Sequence, residues 1–187
     1  GRIIATRGKE AREWWAESTG RLVWAAMTSD RPILILSASA GAGHNVAARA
    51  IEREFRAQLR GAIVEVIDTL QYTNFFFRAL YASGYLGLVN HAPMAMGWLY
   101  EATDKPDWSR RFNSRAAFQN LNAGRFMRLL VSRRPRLIVN THFLPAEIVA
   151  YLRRRDRLHR PQVTVTTDFE THRLWAQAPT ERYYTAT

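Results

Sequence analysis

Four consecutive apolar residues, Ile33, Leu34, Ile35 and Leu36, lead into a run of small residues containing Gly41 and Gly43, followed by His44 and Asn45. A short apolar run bounded by turn residues predicts a buried strand. Beyond it, Val46, Ala47, Ala50, Ile51, Phe55 and Leu59 fall near one face of a 3.6-residue repeat, which predicts a helix. Further strands are expected at 62–68, ending in Asp68, at 136–140, at 161–168, ending in Asp168, and at 182–186. Helical patterns cover 9–28, 114–132 and 145–155, and Asp30-Arg31-Pro32 breaks the first of these. Residues 71–120 interrupt the alternation with an aromatic cluster that includes Tyr72, Phe75, Phe76, Phe77, Tyr81 and Tyr85, then Met94, Met96, Trp98 and Tyr100. Two or more short helices are expected there, one of them around 74–89.

Strands separated by helices imply an α/β fold, a Rossmann-like parallel sheet with helices on both faces. In such sheets ligands collect beyond the carboxyl ends of the strands. The turn at 37–45, Asp68, Thr141-His142 and Asp168 all fall at that edge, although they are far apart in sequence.

The glycine turn is therefore the first candidate site. Glycine lets the backbone turn sharply and lets a ligand approach closely. A helix start offers free N–H groups and a positive dipole end, which bias a nearby histidine towards its neutral form. A P-loop is excluded, because no lysine follows Gly43. A dinucleotide fingerprint is only half present: Gly41-x-Gly43 is followed by Val46 at the third position, with Asp68 suitably placed for a ribose. On spacing alone, His44 is either a catalytic base or a group that caps the helix or hydrogen-bonds within the turn. His142 and His172 follow strands and can approach the same edge, but they form no local ligand pair, and no metal site is expected. Asp168 either orients a histidine, binds a hydroxyl or simply closes a turn. The polar turn after it carries Glu170, His172 and Trp175. The aromatic stretch 72–100 is either core packing or an apolar patch for a lipid.

Composition narrows the partners. The chain has 187 residues, 47% of them hydrophobic, which suits a globular fold. Only Lys9 and Lys105 are lysines; the other basic residues are arginines, and the net charge of +11 suits a polyanionic neighbour. Arginine usage can equally reflect base composition. No nucleic-acid recognition motif accompanies the charge. There is no cysteine, hence no disulfide or thiolate site, and no run approaches the ~20 apolar residues of a membrane-spanning helix. The chain begins at Gly1 and ends in an expected strand, so it is expected to be part of something longer.

The ordered series SAGAGHNVAARAIE (39–52), LYASGYLGLVNHAPMAMGWLYEATD (80–104), RRPRLIVNTHFLP (133–145) and VTVTTDFETHRLW (163–175) resembles the acceptor domain of monogalactosyldiacylglycerol synthases and processive diacylglycerol glucosyltransferases. The resemblance covers about residues 32–187 and departs from the family's turn at Ala42 and Asn45. It implies the amino-terminal half of a GT-B fold in a family 28-type, metal-independent, inverting glycosyltransferase. Residues 1–31 would be a helical extension, and the donor-binding carboxyl-terminal domain would lie outside this chain. No cofactor is implied beyond a UDP-sugar co-substrate. His44 would be the general base towards diacylglycerol, with Gly41, Gly43, Asn45, His142, Asp168 and His172 lining the substrate site. Phe75, Phe76, Tyr85 and Trp98 would form the acceptor groove and membrane surface. The implied partners are diacylglycerol, anionic lipid and the donor domain, not nucleic acid. The implied location is peripheral, at the cytoplasmic face of the bacterial inner membrane. The alternatives are a Rossmann-type nucleotide-binding domain and a non-catalytic membrane-surface module.

Overall fold

A computed structural model describes residues 30–39, 42–74, 123–168 and 173–185. The helix expected at 9–28, the aromatic segment with Phe75, Phe76, Tyr85 and Trp98, and the residues Gly41 and His172 lie outside them. In chain order the elements are β1 (Ile33–Ser37), α1 (Ala42–Gln58), β2 (Val64–Asp68), a 3-10 turn (Thr69–Tyr72), α2 (Gly124–Arg133), β3 (Leu137–Asn140), α3 (Phe143–Arg154), β4 (Gln162–Val165), a second 3-10 turn (Arg173–Trp175) and β5 (Arg182–Tyr184).

The five strands form one parallel sheet in the order β2-β1-β3-β4-β5. The α/β expectation holds, and the strand positions fall within a few residues of the pattern-based ones. β1 is buried along its whole length, as its unbroken apolar run requires in a sheet covered on both faces. Strand alternation sorts the core into two layers. Ile33 and Ile35 of β1 face one way with Val64, Leu137, Val139 and Val163, and α1 covers them through Ala48, Ile51 and Phe55. Leu34 and Leu36 face the other way with Ile67 and Ile138, under Phe126 and Leu130 of α2 and Ile148, Val149 and Leu152 of α3. Each fully buried Leu or Ile contributes about 1.5–3 kcal/mol, so these two layers carry the stability of the sheet.

The phase of α1 departs from the sequence pattern. Its inward stripe is His44, Ala48, Ile51 and Phe55, continued by Leu59, whereas Val46 is 64% exposed and Ala50 lies on the outer face. The helix also starts at Ala42, so His44 belongs to its first turn rather than to the loop before it. The structure thus spends the first inward position of the helix on a histidine.

At the far edge of the sheet, α3 is tied to β5. Arg153 holds the Glu181 carboxylate with both Nη atoms, at 2.8 and 2.7 Å, and Glu181 in turn accepts the Gln162 N–H at 2.7 Å. No helix among the described residues is long and apolar enough to cross a membrane.

Candidate active site at the carboxyl edge of the sheet

β1 connects to β2 on one side of the sheet, and the chain then crosses to β3 on the other side of β1. The edge beyond the carboxyl ends of β1 and β3 is therefore the topological switch point, where open α/β sheets bind ligands. His44 stands there, at the start of α1, and meets the ends of β3 and β4.

His44 is 9% exposed. Its Nδ1 lies 3.1 Å from the carbonyl oxygen of Thr141 and 2.5 Å from Oγ1 of Thr167. A carbonyl can only accept, so Nδ1 carries the proton and Nε2 is left with the lone pair. The hydroxyl of Thr141 closes the arrangement by donating to the carbonyl of His44 at 3.1 Å, while the Thr141 N–H donates to Leu36 at 2.9 Å. The β3 end thus grips both the backbone and the ring of His44. Burial pushes the His44 pKa below its ordinary value of 6.5, and it does so against the negative charge of Asp168 and the hydrogen bond to Thr141. The neutral state expected from the helix dipole thus rests mainly on desolvation.

His142 caps α3: its Nδ1 accepts the Leu144 N–H at 3.0 Å, which puts the ring proton on Nε2. It is 1% exposed, and its pKa is held well below the ordinary value by burial and by His44. The His44 and His142 rings meet edge to face, with centroids 4.5 Å apart. Trp175 completes the cluster. It is fully buried, 6.3 Å from each imidazole and 6.0 Å from Phe143, and its Nε1–H donates to Asp168 Oδ2 at 2.8 Å. Asp168 therefore binds the indole, and the hydroxyl of its neighbour Thr167 binds the histidine. The turn expected to be polar is anchored by the largest buried side chain in this part of the protein.

A second network fixes the loop between β1 and α1. Asp68 accepts the Ser39 N–H at 3.1 Å, the Ser39 hydroxyl at 2.6 Å and the Leu70 N–H at 3.1 Å. Asn45 accepts from Ser37 Oγ at 2.8 Å and donates to Ser39 Oγ at 3.1 Å. Both side chains are committed to shaping the turn. Gly43 is exposed, and a Cβ built there meets nothing within 4 Å, so the space above the helix start is open.

The structure brings together His44, His142 and Asp168, and it places Asn45 and Gly43 beside them. Sequence reasoning missed Thr141 as a clamp, Thr167 and the burial of Trp175. Among the described residues, no group of three or more His, Cys, Asp or Glu could hold a metal ion.

Comparison with known proteins places the chain in a family. The family described as Monogalactosyldiacylglycerol (MGDG) synthase matches residues 44–187. The processive diacylglycerol beta-glucosyltransferase of Bacillus licheniformis is 29% identical over 161 residues, covering 86% of this chain and 40% of the relative. That of Bacillus subtilis is 28% identical over 161 residues, with 86% and 41% covered. The Staphylococcus aureus protein of the same name is 23% identical over 167 residues, with 86% and 39% covered. The chain thus spans about 40% of the length of these curated relatives. No solved structure matches significantly. With its matched region running from His44 to the last residue, the chain belongs to the monogalactosyldiacylglycerol synthase family.

Proposed function

We propose that the chain is the acceptor-binding domain of a glycolipid synthase that transfers a hexose from a UDP-sugar to diacylglycerol with inversion. The observation that carries this reading is the clamp on His44 Nδ1, which leaves a neutral Nε2 at the switch point of the sheet. In the reaction, Nε2 takes the proton of the diacylglycerol hydroxyl. The hydroxyl oxygen forms a bond to the anomeric carbon while that carbon's bond to the UDP oxygen breaks, and UDP leaves with the electron pair. General-base assistance of this kind is typically worth ~10²–10⁴-fold. The open space at Gly43 admits the acceptor, and the positive dipole end of the helix favours developing negative charge. UDP is bound by a donor domain outside these residues, so residues 1–187 alone do not turn over.

The competing dinucleotide reading needs Asp68 for a ribose. Its carboxylate is already engaged by three donors from Ser39 and Leu70, which speaks against it.

The test is to assay the complete protein with UDP-glucose and UDP-galactose on anionic liposomes containing diacylglycerol. A β-linked glycolipid from one of the α-linked donors supports the reading. No glycolipid from either donor, together with saturable NAD(P) binding, would replace it with the dinucleotide reading.

A further inference from the structure

We propose that Thr167 is the positioning residue for His44: its hydroxyl joins the Thr141 carbonyl in holding the ring proton on Nδ1, so that Nε2 keeps the lone pair facing the acceptor. This rests on the reading of His44 as the general base.

Three segments that are distant in sequence converge on one nitrogen. His44 comes from the start of α1, the Thr141 carbonyl from the end of β3, and Thr167 from just beyond β4. The Thr167 hydroxyl could in principle donate to Nδ1, which would move the ring proton to Nε2 and abolish the base. That arrangement would leave an imidazole lone pair facing the Thr141 carbonyl oxygen at 3.1 Å, two acceptors with no proton between them. The carbonyl therefore decides the direction. The Nδ1–H is shared between the two oxygens, and the Thr167 hydroxyl turns its own proton towards the Thr141 carbonyl, 3.5 Å away. When Nε2 accepts a proton, the positive charge spreads over the ring, and the Thr167 oxygen at 2.5 Å stabilises it. A carboxylate in that position would do the same job at the cost of raising the pKa; a hydroxyl holds the ring while leaving it neutral.

The surroundings explain why a second tether is needed. Among the described residues, the charged and titratable groups facing the ring are Asp168 beyond β4, which draws a proton towards it, and His142 at the cap of α3, whose ring is in edge contact. Neither makes a hydrogen bond to His44 among the described residues. Asp168 is held by the Trp175 indole and His142 by the Leu144 amide. Among the described residues, orientation of the imidazole thus falls to Thr141 and Thr167; Thr141 meets the ring with its backbone carbonyl and uses its hydroxyl on the His44 backbone, whereas Thr167 meets the ring with its side chain.

The test uses the complete protein with Thr167→Val, which keeps the shape and removes the hydroxyl, and Thr167→Ser, which restores it. Thr167→Val is expected to lower kcat about tenfold, part of the ~10²–10⁴ available to a general base, with KM unchanged. Its acid limb should move to lower pH, because the imidazolium has lost an acceptor. Thr167→Ser should return kcat to within about threefold of wild type. In a His44→Ala background, Thr167→Val should cost nothing further, since it acts only through the ring. Imidazole nitrogen NMR of the complete protein should show His44 protonated at Nδ1 above its pKa. A Thr167→Val enzyme with wild-type kcat and acid limb would overturn the proposal, and so would an additive loss in the His44→Ala background. A wild-type His44 protonated at Nε2 would overturn it without reference to activity, even if Thr167→Val failed to fold. Wild type that makes no glycolipid would instead refute the proposed function, with the NMR result still deciding what holds the ring.

Discussion

Gly43 separates the demands of folding from those of a ligand. A side chain there would meet no protein atom within 4 Å, and alanine is the better helix former by roughly 1 kcal/mol. Gly43→Ala is therefore expected to keep or slightly raise the melting temperature while lowering activity of the complete protein, read as a rise in KM for diacylglycerol. Unchanged kinetics would place the acceptor elsewhere. His44 makes a second residue-level prediction. Burial lowers its pKa, so the free base dominates at neutral pH, and kcat/KM should be flat there and fall only below the ordinary histidine value of 6.5. The position of His44 was legible in the sequence because a glycine turn after an apolar run marks a strand end. Its partners were not. Thr141 and Thr167 stand 97 and 123 residues away and carry no distinguishing chemistry until β3 and β4 lie side by side.

Helix α1 shows where periodicity fails. Alanines at 42, 47, 48 and 50 give almost no contrast between faces, and the inward stripe opens on a histidine, which hydropathy places outside. Val46 consequently reads as core and is exposed. The corrected phase is testable. Val46→Asp should change stability by no more than about 0.5 kcal/mol, as for most surface sites. Ala48→Asp buries an unpaired charge against Ile33 and Ile35 and should cost about 3 kcal/mol or more in denaturant unfolding. Equal costs at the two positions would contradict the observed packing. The α3 cap is a parallel case. A histidine before a helix is an unusual cap, and its role became visible only from the Leu144 N–H pointing at Nδ1.

For the molecule as a whole, the alternation of apolar runs and helical patterns was sufficient to foresee a parallel α/β sheet, because each strand is bounded by turn residues. Strand order was not foreseeable, since it depends on which edges pair. The described arginines add an unexpected asymmetry. Arg31, Arg60, Arg133, Arg134, Arg136 and Arg160 all lie just before strands, at the edge opposite His44. Global stability should depend on pH through the two buried imidazoles. Both have lowered pKa values when folded, so below 6.5 the unfolded chain binds more protons than the native one. Stability is thus retained above that value and lost as pH falls beneath it. His142→Ser, which preserves a capping oxygen, should make that decline shallower in denaturant titrations. An unaltered slope would remove His142 from the acid response.

The most direct test of the account compares wild type with His44→Ala in the complete protein, using labelled UDP-sugars and diacylglycerol-containing anionic liposomes. The account predicts a loss of kcat of roughly 10²-fold or more, with liposome binding retained. Full activity in His44→Ala would contradict it, leaving the family assignment intact but taking His44 out of the mechanism.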